Sequence, residues 1–126
     1  MRTIRQTYHI SASPDKVWEA LVNPATIEKW SGDKAEMKAE KGFNWKLWSG
    51  QMHGENLEVD PQKKLVQTWL TDDLPSTSLV TFTLKETEDG TTLELLHENV
   101  SDEEFANYSI GWDEHYCGAI KQLLEE

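Results

Sequence analysis

This chain is short of several things, and each shortage removes possibilities. It has one cysteine, Cys117, so no internal disulfide can form and a reducing, cytoplasmic compartment is expected. No segment approaches the roughly 18 apolar residues of a membrane span, so membrane insertion is not expected. The stretch before Pro14 has no apolar run and carries Arg2, Arg5 and His9, unlike a signal peptide. Cations are scarce: 12 Lys and Arg against 23 Asp and Glu, for a net charge of −11. They are dispersed rather than gathered into a phosphate-binding patch, which argues against nucleic acid as a partner. The same field slows acidic ligands but leaves neutral or apolar ligands and basic protein surfaces open. The four histidines form no His-x-x-x-His pair and there is no second cysteine, so neither a metal nor another cofactor is expected. Gly-x-Ser-x-Gly and phosphate-loop patterns are missing too.

What is present reads as one domain over residues 1–126, large enough to bury roughly two thirds of its unfolded surface. Thr3 to Ile10 alternates as a strand. Ser13-Pro14 and Asn23-Pro24 each open a short helix, a capping residue followed by a proline suited to the first turn. Their apolar stripes are Val17, Trp18 and Leu21, then Ile27 and Trp30. Strands are expected at about Lys34–Ala39, Phe43–Trp48, His53–Val59, Leu65–Leu70, Ser78–Lys85 and Thr91–Glu98. Lys41-Gly42, Ser49-Gly50, Asp60-Pro61 and Asp89-Gly90 separate them, with a looser loop at Asp72–Ser76. These gaps are too short for crossover helices, so neighbouring strands should be antiparallel.

Ser101 with Glu104 reads as a capping box opening the last helix, and Gly111 is placed to loosen or kink it. At about 100° per residue, Phe105, Tyr108, Trp112, His115, Tyr116, Ala119, Ile120 and Leu123 share an arc of roughly 140°. Cys117 falls off that face. A face so wide needs a concave partner, so the sheet must curl around the helix. The fold expected is α+β: about seven antiparallel strands wrapped around a long C-terminal helix, with two short helices after the first strand.

Four stretches, in this order, resemble the family named for the activator of heat-shock protein 90 ATPase, within the START-like (helix-grip) superfamily. They are Ser13 to Leu21 with Asn23-Pro24 and Trp30; Gly54 to Val59 with Asp60-Pro61 and Leu65 to Trp69; Thr91 to Leu95 leading to His97; and Gly111-Trp112 with Tyr116 and Ile120-Lys121. The resemblance implies the helix-grip fold. It also places the chain among ligand carriers, cyclases, hydrolases and co-chaperone domains, with a chaperone as one possible partner and stress response as a setting.

Alternation puts Tyr8, Phe43, Trp45, Val80, Phe82, Leu93, Leu95 and His97 on the inner face. Met52, Leu65 and Trp69 join them unless a bulge near Gly54 reverses the parity. Tyr108, Trp112, Tyr116 and Ile120 face them from the helix, with Trp30 near a mouth. The candidate ligand-binding residues are therefore Tyr8, Trp30, Trp45, Trp69, Phe82, His97, Tyr108, Trp112 and Tyr116. Large aromatics that do not interdigitate leave gaps, and the ligand expected in an internal cavity is a hydrophobic small molecule, aromatic or lipid-like, bound by a monomer. The alternatives are a protein-interaction module acting as a co-chaperone, or a cavity enzyme with a neutral His97 as base. No catalytic constellation is evident. For each aromatic and for His97, the plainer expectation is a satisfied core residue.

Overall fold

The computed structural model describes residues 2–71 and 74–126. Seven strands form one antiparallel sheet: β1 (Arg2–Ile10), β2 (Ala35–Glu36), β3 (Asn44–Leu47), β4 (Met52–Asp60), β5 (Lys64–Thr71), β6 (Leu74–Thr87) and β7 (Gly90–Val100). Their spatial order is β1-β7-β6-β5-β4-β3-β2. The chain meanders from β2 to β7, and β1, separated from the meander by two helices, returns to pair with β7 (Gln6 opposite Leu95, Tyr8 opposite Leu93). The helices α1 (Pro14–Val22) and α2 (Pro24–Ser31) follow β1 as expected. Asn23 caps α2 by accepting from Ala25 N–H at 3.0 Å. Ser13 makes no side-chain cap; its carbonyl receives the Lys16 and Val17 N–H groups instead.

Two strands depart substantially from their expected limits. The segment expected as a strand at Lys34–Ala39 pairs only at Ala35–Glu36. Beyond it, Asn56 takes over the backbone, its amide donating to the carbonyls of Lys38 (2.8 Å) and Glu40 (3.3 Å). β6 begins at Leu74, so most of the expected Asp72–Ser76 loop is strand; Asp72 and Asp73 lie outside the described residues. The β4–β5 register slips between Asn56 and Glu58, and β4 accordingly turns Asn56 inward. Leu65, Gln67 and Trp69 of β5 lie buried on the concave face with Val80, Phe82 and Leu84 of β6 and Leu93, Leu95 and His97 of β7.

The terminal helix crosses that face and changes pitch midway. It runs as α3 (Asp102–Gly111), a π turn (Trp112–Tyr116) and α4 (Cys117–Leu124). Within the π turn the Cys117 N–H reaches back five residues to the Trp112 carbonyl. One extra residue per turn rotates everything beyond it relative to a uniform helix. The expected face is therefore wrong at two positions: His115 is exposed, and Cys117 is fully buried beside Tyr116 and Ile120. Gly118 is required here: an added Cβ would stand 1.7 Å from the Asp113 carbonyl oxygen. Helix and sheet are also latched at β1, where Gln6 Nε2 donates to the Ser109 carbonyl at 2.9 Å and Lys121 Nζ bonds both the His9 carbonyl and Glu125.

Candidate functional site

Most of the interior aromatics fill space against one another. Trp69 lies 4.8 Å, centroid to centroid, from both Trp45 and Trp112 and 5.7 Å from Tyr116. Phe82 stacks on Tyr116 at 5.7 Å, with the rings inclined by 19°. Such contacts contribute about 0.5–1.5 kcal/mol per pair beyond area burial.

Threaded through this packing are two hydrogen-bonded chains. In the first, Trp69 Nε1 donates to Gln67 Oε1 (3.0 Å) and Gln67 Nε2 donates to Asn56 Oδ1 (2.9 Å). In the second, Trp112 Nε1 lies 3.0 Å from His97 Nδ1, His97 Nε2 lies 2.8 Å from Ser78 Oγ, and Ser78 Oγ donates to the Trp69 carbonyl at 3.3 Å. An indole N–H can only donate. Nδ1 must therefore accept, which places the imidazole proton on Nε2, directed at Ser78. Both ring nitrogens of His97 are thus taken by protein groups, and the geometry favours the satisfied core histidine over a base or a ligand anchor. Trp45 Nε1, by contrast, is buried without a partner.

Burial lowers the His97 pKa from 6.5 to about 4. Desolvation penalises the imidazolium, and protonation would also set two N–H groups against each other at Trp112. The unfolded chain takes up this proton near pH 6.5, while the folded chain resists it until about pH 4. Stability from the neutral ring is complete above the upper value and is lost progressively as pH falls toward the lower one, by about 3 kcal/mol in all. Urea denaturation midpoints measured across this window should fall with pH, and an NMR titration should place His97 near the lower value. A His97 that titrates like an exposed imidazole would contradict the arrangement.

The space left over lies along the terminal helix, between it, α2 and the β3–β4 turn. It is an open cleft of about 650 Å³, walled by Trp30 and Ser31 of α2, Trp48, Gln51 and Met52 at the β3–β4 turn, Trp69 of β5, and a stripe of the terminal helix from Glu104 to Ala119. Of the nine candidate residues, Trp30, Trp69, Tyr108, Trp112 and Tyr116 line it. Trp45, Phe82 and His97 stand behind that wall in the core. Tyr8 lies at the seam between β1 and the helix, its hydroxyl bonded to Gln6 Oε1 (2.5 Å) and 3.3 Å from Asp113 Oδ1. There, burial and the nearby Asp113 carboxylate push its phenol well above the usual tyrosine range.

Trp48, missing from the candidates, stands at the mouth. It begins a turn of three consecutive left-handed residues: Trp48 (φ 50°), Ser49 (φ 58°) and Gly50 (φ 89°). Left-handed backbone costs a non-glycine residue about 1–2 kcal/mol. The turn is held by the Trp48 indole, which donates to the Ser31 carbonyl at 3.3 Å. The same indole rests 6.2 Å from the rings of both Trp30 and Tyr116. Its only trace in the sequence is an aromatic residue placed directly before Ser49-Gly50. Glu104, whose place in a capping box was its only role expected from sequence, and Glu114 line the same cleft. The Ser101 hydroxyl does accept from Glu104 N–H at 3.3 Å, but the Glu104 side chain lines the cleft.

The buried thiol of Cys117 is pushed above its ordinary range by burial and by Asp113, which is unsuitable for a nucleophile. Among the described residues no group of three or more His, Cys, Asp or Glu is placed to hold a metal ion, and no helix is long and apolar enough to cross a membrane.

Comparison with known proteins agrees with this architecture. Residues 11–125 match a family model described as "Activator of Hsp90 ATPase homolog 1-like protein". A Dictyostelium discoideum protein described as an activator of 90 kDa heat shock protein ATPase homolog is 24% identical over 98% of this chain, but the match spans 33% of that protein. The chain thus corresponds to about a third of the length of that curated relative. A crystal structure of a Mesorhizobium loti protein superposes with a TM-score of 0.85 at 31% identity, covering 98% of this chain and 97% of the other. An "HSP90 activator" from Plasmodium falciparum superposes with a TM-score of 0.90 at 24% identity, covering 99% and 97%.

Proposed function

Starting from the premise that this chain belongs to the activator of Hsp90 ATPase homolog 1-like family, we propose that it is a small-molecule binding domain whose cleft takes a ligand with an apolar, aromatic or lipid-like body. The observation that carries this reading is where the packing stops. Behind the cleft the aromatic rings pack against one another; at the cleft Trp30, Trp48, Trp69, Tyr108, Trp112 and Tyr116 instead surround about 650 Å³. That volume lies within the usual range for small-molecule sites, about 300–1,000 Å³. A ligand burying about 250 Å² of apolar area there gains roughly 6 kcal/mol, enough for binding in the tens of micromolar.

Titration with a neutral apolar probe such as octanol tests this. Saturable tryptophan fluorescence changes are expected, with amide shifts centred on Trp48, Tyr108 and Tyr116. Trp48→Ala should weaken binding about tenfold, since it removes a wall of the site while leaving the His97 chain intact. Shifts confined to the convex face of the sheet, or no saturation, would refute the reading.

A second reading, a co-chaperone partner, is supported by the near full-length superposition on a protein titled an HSP90 activator and by the acidic charge, which favours encounter with a basic surface. It predicts a salt-sensitive rise in chaperone ATPase rate on adding this chain; an unchanged rate argues against it.

A further inference from the structure

We infer that the cleft selects a cationic amphiphile, a molecule with an amine or quaternary ammonium head on an apolar body; this rests on the ligand-binding reading above. Three features of the wall converge on that class. First, its ionised side chains are of one sign: Glu104 and Glu114 line the cleft, and no lysine or arginine does. Second, Glu104 and Glu114 both belong to the terminal helix, about 15 Å apart along its axis, with Tyr108 and Trp112 of the same wall between them, so a head group held by either carboxylate leaves its body beside the rings. Third, the deeper wall offers the π faces of tryptophan and tyrosine, which attract cations and tolerate neutral groups but give nothing to an anion.

The surroundings reinforce the choice. The first turn of α3 adds Asp102 and Glu103 beside Glu104, and the whole chain carries −11, so the mouth lies in a negative field. One group opposes it: His115, also on the wall, has Nε2 3.8 Å from a Glu114 carboxylate oxygen and, if protonated, offsets that charge.

The experiment uses three probes with one tail, octyltrimethylammonium, octanol and octanoate, each kept below its micelle concentration and followed by tryptophan fluorescence and amide shifts. The cation is expected to bind about tenfold more tightly than octanol, with octanoate weakest. Added salt should erode that preference while leaving octanol unaffected. Glu104→Gln with Glu114→Gln should bring the cation to the level of octanol without changing octanol itself. Glu88→Gln, in the β6–β7 turn and outside the cleft, should change neither, which separates local recognition from the general field. Near-ultraviolet circular dichroism confirms that each variant keeps the native packing. Equal affinities for cation and alcohol, an unchanged preference in the double variant, or an equal effect from Glu88→Gln would each overturn the inference while leaving the ligand site standing. Binding by none of the three probes would overturn both.

Discussion

His97→Ala should destabilise the protein by about 4 kcal/mol, among the largest losses available from a single side chain. The ring is fully buried and links Trp112 on the helix to Ser78 on β6. Its removal orphans the Trp112 indole N–H, at a cost of about 1–3 kcal/mol when buried unpaired, and takes away the donor that Ser78 Oγ accepts from, leaving that hydroxyl only its bond to the Trp69 carbonyl. It also leaves a void among Trp69, Tyr108 and Trp112, whose rings lie 6.1, 4.7 and 5.6 Å from the imidazole. Chemical denaturation of the variant at neutral pH measures the loss. The acid sensitivity between pH 6.5 and about pH 4 should disappear along with the ring. A variant within 1 kcal/mol of the parent would mean that water substitutes for the imidazole with little penalty.

Gly118→Ala should cost about 3 kcal/mol and do so by a different route. Its methyl group would fall 1.7 Å from the Asp113 carbonyl oxygen, a clash with backbone that no rotamer relieves. The helix has two responses. It can open locally, or it can expel the extra residue of the π turn and continue as a regular helix. The second response rotates the segment after residue 116 by about 100° relative to α3, taking Cys117 and Ile120 out of the core. Either way the Gly118→Ala variant should show accelerated amide exchange along Cys117–Leu124 and a weaker tyrosine and tryptophan near-ultraviolet signal. An alanine tolerated with unchanged exchange would show that the π turn shifts at little cost.

Helix phase is also where reading the sequence fails. The seven strands and two short helices were legible because turn pairs such as Asp60-Pro61 and Asp89-Gly90 interrupt clear alternation, and each local choice agrees with the sheet. The last helix was legible as an element but not in its phase. A uniform 100° per residue carries the apolar arc correctly through Trp112 and misplaces His115 and Cys117, because a π turn leaves the amphipathic pattern looking merely wide. Gly118 in a helix interior, where glycine costs about 1 kcal/mol, was the available sign.

The candidate site divides the same way. Five of its nine residues stand on the cleft because aromatic residues on inward positions are easy to locate. The Asn56–Gln67–Trp69 and Trp112–His97–Ser78 chains were not legible. Each depends on pairings between elements, Gln67 with Asn56 in one and His97 with Trp112 and Ser78 in the other, and alternation says which way a side chain points, not whom it meets. Trp48 escaped for a related reason: its position follows from a left-handed turn that obeys no period.

The pairing of β1 with β7 has a consequence for synthesis. Val100 lies opposite Arg2, so β1, once out of the ribosome, waits until β7 is complete before it has a neighbour. At about 5–20 residues per second, that interval is roughly 5–20 s. Throughout it, Ile4 and Ile10, both buried in the finished fold, have neither sheet nor helix to cover them. Closing so large a loop places this domain among slow, non-local folders. The nascent chain should therefore be vulnerable to proteolysis and to chaperone capture at β1.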